Sequence, residues 1–185
     1  MAGKVILVTG GARSGKSEVA EQLAAGFTGP VIYLATAGVC DEEMKQRVHK
    51  HRERRPAHWV TVEETQRLTM VLEKAAIGSC VLVDCLTLWL TNLLLDESPL
   101  EEKEILAELA RLIETARSRD LTLILVSNQV GCGVVPENRL ARLFRDLAGL
   151  VNRQAAAQAD LVYLVTAGIP VELKALAAQI GGEDI

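Results

Sequence analysis

Runs of apolar residues without a polar face alternate with amphipathic segments along this chain. The apolar runs predict strands buried on both faces, at 4–9, 30–37, 80–85, 121–128 and 160–168, with a short final strand at 170–174. The segments between them have helical spacing, and they predict helices at 16–27, 41–55, 63–77, 87–95, 98–118 and 136–159. Strands of this kind, joined through helices, indicate an α/β fold with a mainly parallel sheet covered on both sides.

The alternation contains no internal repeat and no linker, so we expect a single domain. A length of 185 residues fits one hydrophobic core, and an apolar fraction of 49% is high enough to form one. Only 3% of the residues are aromatic, so the core is expected to be aliphatic. The domain is predicted to span 1–174, followed by a C-terminal tail at 175–185 that ends in IGGEDI.

Charge and cysteine content narrow the class of protein. The net charge of −4 argues against nucleic-acid binding, which usually goes with a basic surplus. The four cysteines, at 40, 80, 85 and 132, form no C-x-x-C pair and no zinc spacing. No apolar run has the length of a membrane span, and the opening MAGKVILVTG reads as a strand, not as a signal peptide. We therefore expect a cytoplasmic enzyme with reduced thiols.

The strongest motif is GGARSGKS at 10–17, which has the G-x-x-x-x-G-K-S spacing of a phosphate-binding loop. It lies between a predicted strand and a predicted helix, which is the context that this motif requires. The glycines allow backbone N–H groups to surround phosphates, and the helix N-terminus adds partial positive charge. Lys16 is expected to contact the β and γ phosphates, and Ser17 is expected to hold Mg²⁺.

A phosphate-binding loop usually works with an acidic residue at the end of a neighbouring strand. Asp84 ends the predicted strand CVLVD, and no other predicted strand has a carboxylate so placed. We interpret Asp84 as a direct or water-mediated Mg²⁺ ligand, with an N-cap of the next helix as the alternative role.

Three classes of nucleotide-binding protein remain. A signalling GTPase is disfavoured because the chain lacks D-x-x-G after Asp84, and its fourth strand ends in SNQVG instead of N-K-x-D.

A small-molecule kinase would use arginines near the transferred phosphate. Arg139, Arg142 and Asp146 lie on one helical face, for which a solvated surface is the simpler interpretation. The preceding glycine-rich loop favours a ligand, since ligands bind beyond strand C-termini in such sheets.

The other face of that same helix has core spacing. It predicts an apolar stripe that packs against the rest of the domain. The stripe consists of Leu140, Leu143, Leu147 and Val151.

A nucleotidyltransferase would need a nucleophile, and the helix at 41–55 offers histidines among many cations. Nearby positive charge lowers the pKa of an imidazole, so a neutral nucleophile persists near pH 7. His49 and His51 are two residues apart and point to different sides of the helix, so spacing alone does not choose between them. Without other information, a charged surface helix is the simpler interpretation.

The residues named so far match a known family in five blocks, and the chain resembles the bifunctional adenosylcobinamide kinase / adenosylcobinamide-phosphate guanylyltransferase of cobalamin biosynthesis. The resemblance implies a three-layer RecA-type P-loop NTPase fold, assembled as a homotrimer in the cytoplasm. It also implies phosphorylation of adenosylcobinamide with ATP or GTP, followed by GMP transfer from GTP through a guanylyl-histidine. The blocks are VTGGARSGKS (8–17), YLATA (33–37), DEEMKQRVHKHRERRPAHWVTVE (41–63), LVDCLTLWLTNLL (82–94) and SNQVGCGVVPENRLARLFRDLAGLVNRQ (127–154).

The resemblance also assigns site residues. When the chain is aligned with the family's pattern through Arg47, Arg55 and Pro56, the guanylylated residue is His51, with His49 as the fallback. The resemblance assigns Mg²⁺ to Ser17 and Asp84. The family often has Glu at position 84, and because Asp is one methylene shorter, a direct contact could become water-mediated. The implied nucleotide-binding residues are Gly10, Gly11, Ala12, Arg13, Ser14, Gly15, Lys16, Ser17, Ala35, Thr36, Ala37, Arg52, Glu53, Arg54, Arg55, Glu63 and Asp84.

Two alternatives keep the phosphate loop but change its use. The chain could be a small-molecule kinase without guanylyl transfer, or a nucleotide-binding regulatory module without transfer chemistry. No residue in the sequence is diagnostic for a corrinoid pocket, so the acceptor substrate rests on the resemblance.

Overall fold

The computed structural model describes residues 3–38 and 55–178, which form one seven-stranded sheet with helices on both faces. Its five helices are α1 (Lys16–Ala25), α2 (Leu68–Lys74), α3 (Leu86–Leu94), α4 (Glu102–Ser118) and α5 (Arg139–Gln158). Its strands are β1 (Val5–Gly10), β2 (Val31–Ala35), β3 (Val60–Glu63), β4 (Cys80–Asp84), β5 (Thr122–Asn128), β6 (Leu161–Thr166) and β7 (Ile169–Glu172).

The strand order is β3-β2-β4-β5-β1-β6-β7, and every neighbouring pair is parallel except β6 and β7. That exception follows from the two residues that join those strands. Ala167 and Gly168 both have positive φ, at 52° and 80°, as in the tight turns that connect antiparallel strands. The sheet is therefore mainly parallel, as the apolar runs predicted.

The two faces of the sheet build two separate cores. In β1, Ile6 and Val8 pack on the side of α1, while Val5 and Leu7 pack on the side of α2 to α5. This alternation explains why the strand has no polar face, since every side chain meets a helical layer. The result is a three-layer α/β fold.

One stretch of the predicted secondary structure is wrong. A helix was expected over 63–77, but the structure has strand β3 at Val60–Glu63 and only a short helix at Leu68–Lys74. The sequence VTV before Glu63 has the β-branched residues that favour a strand, and β3 pairs with β2 at the edge of the sheet. The Glu64 side chain then accepts hydrogen bonds from the backbone of Gln66 and Arg67, which turns the chain before α2.

The helix predicted at 136–159 begins later than expected, at Arg139. Asn138 caps it, because its side-chain oxygen accepts hydrogen bonds from the backbone N–H groups of Leu140 and Ala141. Its apolar stripe is only half buried in the core: Leu147 and Val151 are buried, whereas Leu140 and Leu143 are 46% and 47% exposed. The prediction that all four pack into the domain is therefore wrong at the N-terminal end.

Several predicted features lie outside the described residues. They include most of the helix at 41–55, with His49, His51, Arg52, Glu53 and Arg54, and the end of the C-terminal tail from residue 179. Within residues 3–38 and 55–178, no helix combines the length and apolar character needed to cross a bilayer.

Candidate active site

The phosphate loop joins β1 to α1, and two of its glycines stand where the backbone needs them. Gly15 has φ of 93°, a left-handed conformation that glycine adopts without strain. At Gly10, an added Cβ would lie 2.4 Å from the carbonyl oxygen of Val165. A larger residue would therefore strain the loop at position 15, and at position 10 it would push the loop away from β6.

Hydrogen bonds from three directions fix the loop. The N–H of Gly168 in the β6–β7 turn donates to the Ser14 carbonyl at 2.8 Å, and the N–H of Gln129 after β5 donates to the Gly10 carbonyl at 3.0 Å. Lys16 Nζ donates to the Gly11 carbonyl at 3.3 Å, so the ammonium folds over the loop. This arrangement holds a cation and the start of a helix at the point where phosphates bind in such loops.

A cavity of about 560 Å³ opens beside the loop, at the edge where β2, β4 and β5 end. Ligands bind at this edge in open parallel sheets, and the volume lies in the range of nucleotide and cofactor pockets. Eight of the predicted nucleotide-binding residues line it: Ala12, Arg13, Lys16, Ser17, Ala35, Ala37, Arg55 and Asp84.

Tyr33, Asp84 and Arg55 form a polar cluster on the cavity wall. Tyr33 Oη donates a hydrogen bond of 2.7 Å to Asp84 Oδ2. The guanidinium carbon of Arg55 lies 3.3 Å from the centroid of the Tyr33 ring. Burial and the neighbouring carboxylate of Asp84 raise the pKa of Tyr33, so the phenol remains protonated as a donor. Tyr33 therefore holds one carboxylate oxygen of Asp84 in place.

The backbone after Asp84 is tied to the end of β2. Thr36 is fully buried, and its hydroxyl both donates to the Cys85 carbonyl at 2.8 Å and accepts from the Cys85 N–H at 2.7 Å. Asn128 Nδ2 donates to Thr87 Oγ1 at 2.7 Å, which ties the end of β5 to the start of α3. Burial raises the pKa of the Cys85 thiol, so this group stays neutral beside Thr87. These bonds link the ends of β2, β4 and β5 and the start of α3 beneath the cavity.

The cavity contains side-chain oxygens that suit Mg²⁺ as ligands. Ser17 and Asp84 line the same cavity, and within the described ranges neither Ser17 Oγ nor Asp84 Oδ1 makes a hydrogen bond. Mg²⁺ prefers hard oxygen ligands and is commonly held by one or two protein oxygens together with substrate phosphates. The N-cap position of α3 is Cys85, not Asp84, so the structure does not support the alternative role of Asp84 as a helix cap.

Some predicted residues do not line the cavity. Glu63 ends the edge strand β3, where it pairs with Ala35 in the register of the sheet. Thr36 is fully buried beneath the cavity. The face of α5 with Arg139, Arg142 and Asp146 does not line it either. Arg142 donates to the carbonyl of Pro136 at 3.0 Å, which stabilises the start of α5, and Asp146 pairs with its neighbour Arg145.

The structure also brings residues to the cavity that sequence reasoning did not select. They are Tyr33, Cys85, Thr87, Leu88, Thr91, Asn128, Gln129, Val130 and Phe144. The glycine-rich loop after β5 gave a signal for Gln129 and Val130, because it follows a strand end. No comparable signal pointed to Tyr33, which is two residues before Ala35 in an otherwise aliphatic strand.

We expect Tyr33→Phe to weaken nucleotide binding about tenfold, because a hydrogen bond to a charged group contributes roughly 1.5 kcal/mol. The change leaves Asp84 without the donor that orients it. The measurement is a nucleotide titration together with a thermal unfolding curve. Tyr163→Phe is the matched control, since the Tyr163 hydroxyl makes no hydrogen bond to any described residue and its ring packs against the same core. Equal affinities of both variants and wild type would contradict the role of Tyr33.

Comparison with known proteins agrees with this geometry. The fold and the phosphate loop define a P-loop nucleotide-binding protein, and the sequence pattern of the family "Cobinamide kinase / cobinamide phosphate guanyltransferase" matches residues 6–173. The chain belongs to that family. The expected enzyme class, a kinase and guanylyltransferase of cobalamin biosynthesis, is therefore confirmed.

Three similar proteins are bifunctional adenosylcobalamin biosynthesis proteins. CobU of Escherichia coli (strain K12) is 47% identical over 182 residues, covering 92% of this chain and 99% of that protein. CobP of Pseudomonas aeruginosa is 47% identical over 169 residues, covering 91% and 96%. CobU of Salmonella typhimurium is 44% identical over 181 residues, covering 92% and 99%.

A solved structure supports the fold alone. An ATPase of a bacterial type III secretion system superposes with a TM-score of 0.58 at 15% sequence identity, over 89% of this chain. The chain spans 51% of the length of that ATPase. At this identity the similarity concerns the arrangement of the sheet and helices, and it agrees with a RecA-type P-loop fold.

Proposed function

We propose that this protein phosphorylates the aminopropanol hydroxyl of adenosylcobinamide with ATP or GTP, and then transfers GMP from GTP to the new phosphate through His51. The observation that carries the proposal is a single cavity that joins a complete phosphate loop to the Tyr33–Asp84–Arg55 cluster, in a chain of this family. One nucleotide site is thereby proposed to serve both reactions.

In the first reaction, the acceptor hydroxyl oxygen attacks the γ phosphorus. A new O–P bond forms, the bond from the γ phosphorus to the bridging oxygen breaks, and the nucleoside diphosphate leaves. Lys16 lines the cavity and is proposed to neutralise charge on the β and γ phosphates, which is where charge develops during phosphoryl transfer. The loop N–H groups and the start of α1 orient the same phosphates.

In the second reaction, a ring nitrogen of His51 attacks the α phosphorus of GTP. A P–N bond forms, the α–β bridging bond breaks, and pyrophosphate leaves. A phosphate oxygen of adenosylcobinamide phosphate then attacks the same phosphorus, the P–N bond breaks, and adenosylcobinamide-GDP forms. The covalent intermediate splits one difficult transfer into two displacements. His51 is proposed from the family resemblance, because it lies outside the described residues.

The remaining assignments have specific supports. Arg13 and Arg55 line the cavity and are proposed to contact nucleotide phosphates, as are Arg52 and Arg54 from the resemblance. Ser17 and Asp84 are proposed to hold Mg²⁺, which would neutralise phosphate charge when bound. The resemblance also supports a homotrimer in the cytoplasm; a solution mass near three times 20.0 kDa would agree with it, and a monomer mass would not.

The proposal is tested by incubating the purified protein with adenosylcobinamide, Mg²⁺, ATP and GTP, and by analysing the corrinoid products by mass spectrometry. The expected products are adenosylcobinamide phosphate and then adenosylcobinamide-GDP. Formation of adenosylcobinamide phosphate without adenosylcobinamide-GDP would favour a kinase that lacks guanylyl transfer. Tight GTP binding without either product would favour a nucleotide-binding regulatory module.

A further inference from the structure

A small apolar groove lies next to the active-site cavity, between the end of α3 and the start of α5. Its volume is about 270 Å³. Leu94 and Leu95 form one wall, and Leu140, Ala141 and Phe144 form the other. We call these five residues the α3–α5 groove.

The groove is left uncovered by the described part of the chain. Leu95 is 65% exposed and Leu140 is 46% exposed, although helical spacing would place Leu140 with the core residues of α5. Among residues 3–38 and 55–178, twelve large apolar residues are exposed, and six of them lie at the end of α3, at the start of α5 or in the loop before α5: Leu95, Val130, Val134, Val135, Leu140 and Leu143. A concentration of exposed apolar side chains of this kind usually marks a binding surface.

The groove borders the active site. Thr91 and Phe144 line both the groove and the active-site cavity, so the two sites share part of their walls. The groove lies on the side of α3 and α5. Lys16 and the phosphate loop form the wall of the active-site cavity on the side of β1 and α1. The acceptor has to approach the nucleotide from a side that the phosphate loop does not occupy.

The chemistry of the groove fits the body of the acceptor better than a nucleotide. A corrin macrocycle carries methyl groups along its edge and amide groups on its peripheral arms, and its reacting hydroxyl ends a flexible arm. Leucine and phenylalanine side chains match the methyl-bearing edge. Asn138, at the rim, uses its side-chain oxygen to cap α5, while its amide nitrogen makes no hydrogen bond to any described residue. That nitrogen is a donor for a peripheral amide carbonyl.

We propose that the α3–α5 groove binds the methyl-bearing edge of the corrinoid substrate, while the aminopropanol arm crosses Thr91 and Phe144 to reach the phosphate site. This inference rests on the proposed function and adds to it the place where the acceptor is recognised. It makes Leu95 and Leu140 binding residues for adenosylcobinamide and for its phosphate, since both acceptors share the same macrocycle. It predicts no contribution of these two leucines to nucleotide binding.

The test is the double variant Leu95→Ser with Leu140→Ser, compared with Ile77→Ser. Ile77 is 74% exposed and lies between α2 and β4, away from both cavities, so it controls for the loss of a surface apolar residue. The KM for adenosylcobinamide and for its phosphate is expected to rise about tenfold or more in the double variant, from the loss of apolar contact. The KM for ATP and GTP, and self-guanylylation without corrinoid, are expected to match wild type.

Two results would overturn the inference. One is a corrinoid KM within twofold of wild type in the double variant. The other is a shift of the double variant to a smaller assembly in analytical ultracentrifugation, at any corrinoid KM, which would mean that a second copy of the chain covers the groove.

Equilibrium dialysis with adenosylcobinamide separates this inference from the proposed function, because it requires no turnover. A wild-type protein that binds the corrinoid but makes no product would contradict the proposed function, and weaker binding by the double variant would still support the groove. Equal binding by both proteins would overturn the groove assignment, even with full wild-type activity.

Discussion

Replacing Lys16 with alanine is expected to reduce both the phosphorylation of adenosylcobinamide and the guanylylation of the protein by at least about 10²-fold. Lys16 Nζ lies over the phosphate loop and on the cavity wall, where it would contact the β and γ phosphates of any bound triphosphate. Both reactions displace a phosphate-bearing leaving group from a triphosphate in the same proposed site, so one lysine serves both. Rates measured with saturating acceptor and labelled nucleotide check this expectation.

The matched control for Lys16→Ala is Lys4→Ala. Lys4 is exposed and directly precedes β1, at the end of that strand opposite the phosphate loop, so this variant removes a positive charge without touching the cavity. Its rates are expected to equal those of wild type. Loss of only one of the two activities in Lys16→Ala would contradict a shared phosphate site.

Replacing His51 with alanine is expected to lower guanylyl transfer by at least about 10³-fold, while the rate of cobinamide phosphorylation stays within about threefold of wild type. The reason is that only the second reaction uses a protein nucleophile. Separate assays of the phosphorylated and the GDP-bearing products measure the two rates.

The control for His51→Ala is His49→Ala, which removes an imidazole two residues away in the same basic segment. This variant is expected to retain both activities. If His49→Ala loses guanylyl transfer and His51→Ala retains it, the nucleophile is His49.

The fold was predictable where one rule governs a whole element. Strands such as β1 are buried along their whole length because helices cover both sides, and their apolar runs predicted the parallel sheet and its helical layers. Strand β3 at Val60–Glu63 was missed because it is a short edge strand with exposed residues, which lacks an apolar run. Its pairing with β2 comes from the sheet, and no local pattern in the sequence reports it.

The site was predictable only in part, for a similar reason. The phosphate loop is a continuous motif, so its eight residues could be placed from sequence. The bond from Tyr33 to Asp84 joins residues 51 positions apart, and the bond from Asn128 to Thr87 joins residues 41 positions apart. Hydrogen bonds between separate strands and helices leave no spacing signal.

The apolar stripe of α5 shows a limit of helical periodicity. The 3.6-residue spacing correctly identified one face that includes Leu140, Leu147 and Val151. Periodicity does not say how far along that face the neighbouring elements extend. The first turns of α5 lie at the α3–α5 groove, so Leu140 remains half exposed while Val151 is 1% exposed.

The most direct test of the account is to incubate the wild-type protein with GTP labelled at the α phosphate, and to map the label by mass spectrometry of its peptides. The expected label survives alkali, is lost in acid and lies on the peptide containing His51, and GTP labelled at the γ phosphate is expected to leave no label on the protein. Tight GTP binding without any α-phosphate label on the protein would contradict transfer through a guanylyl-histidine.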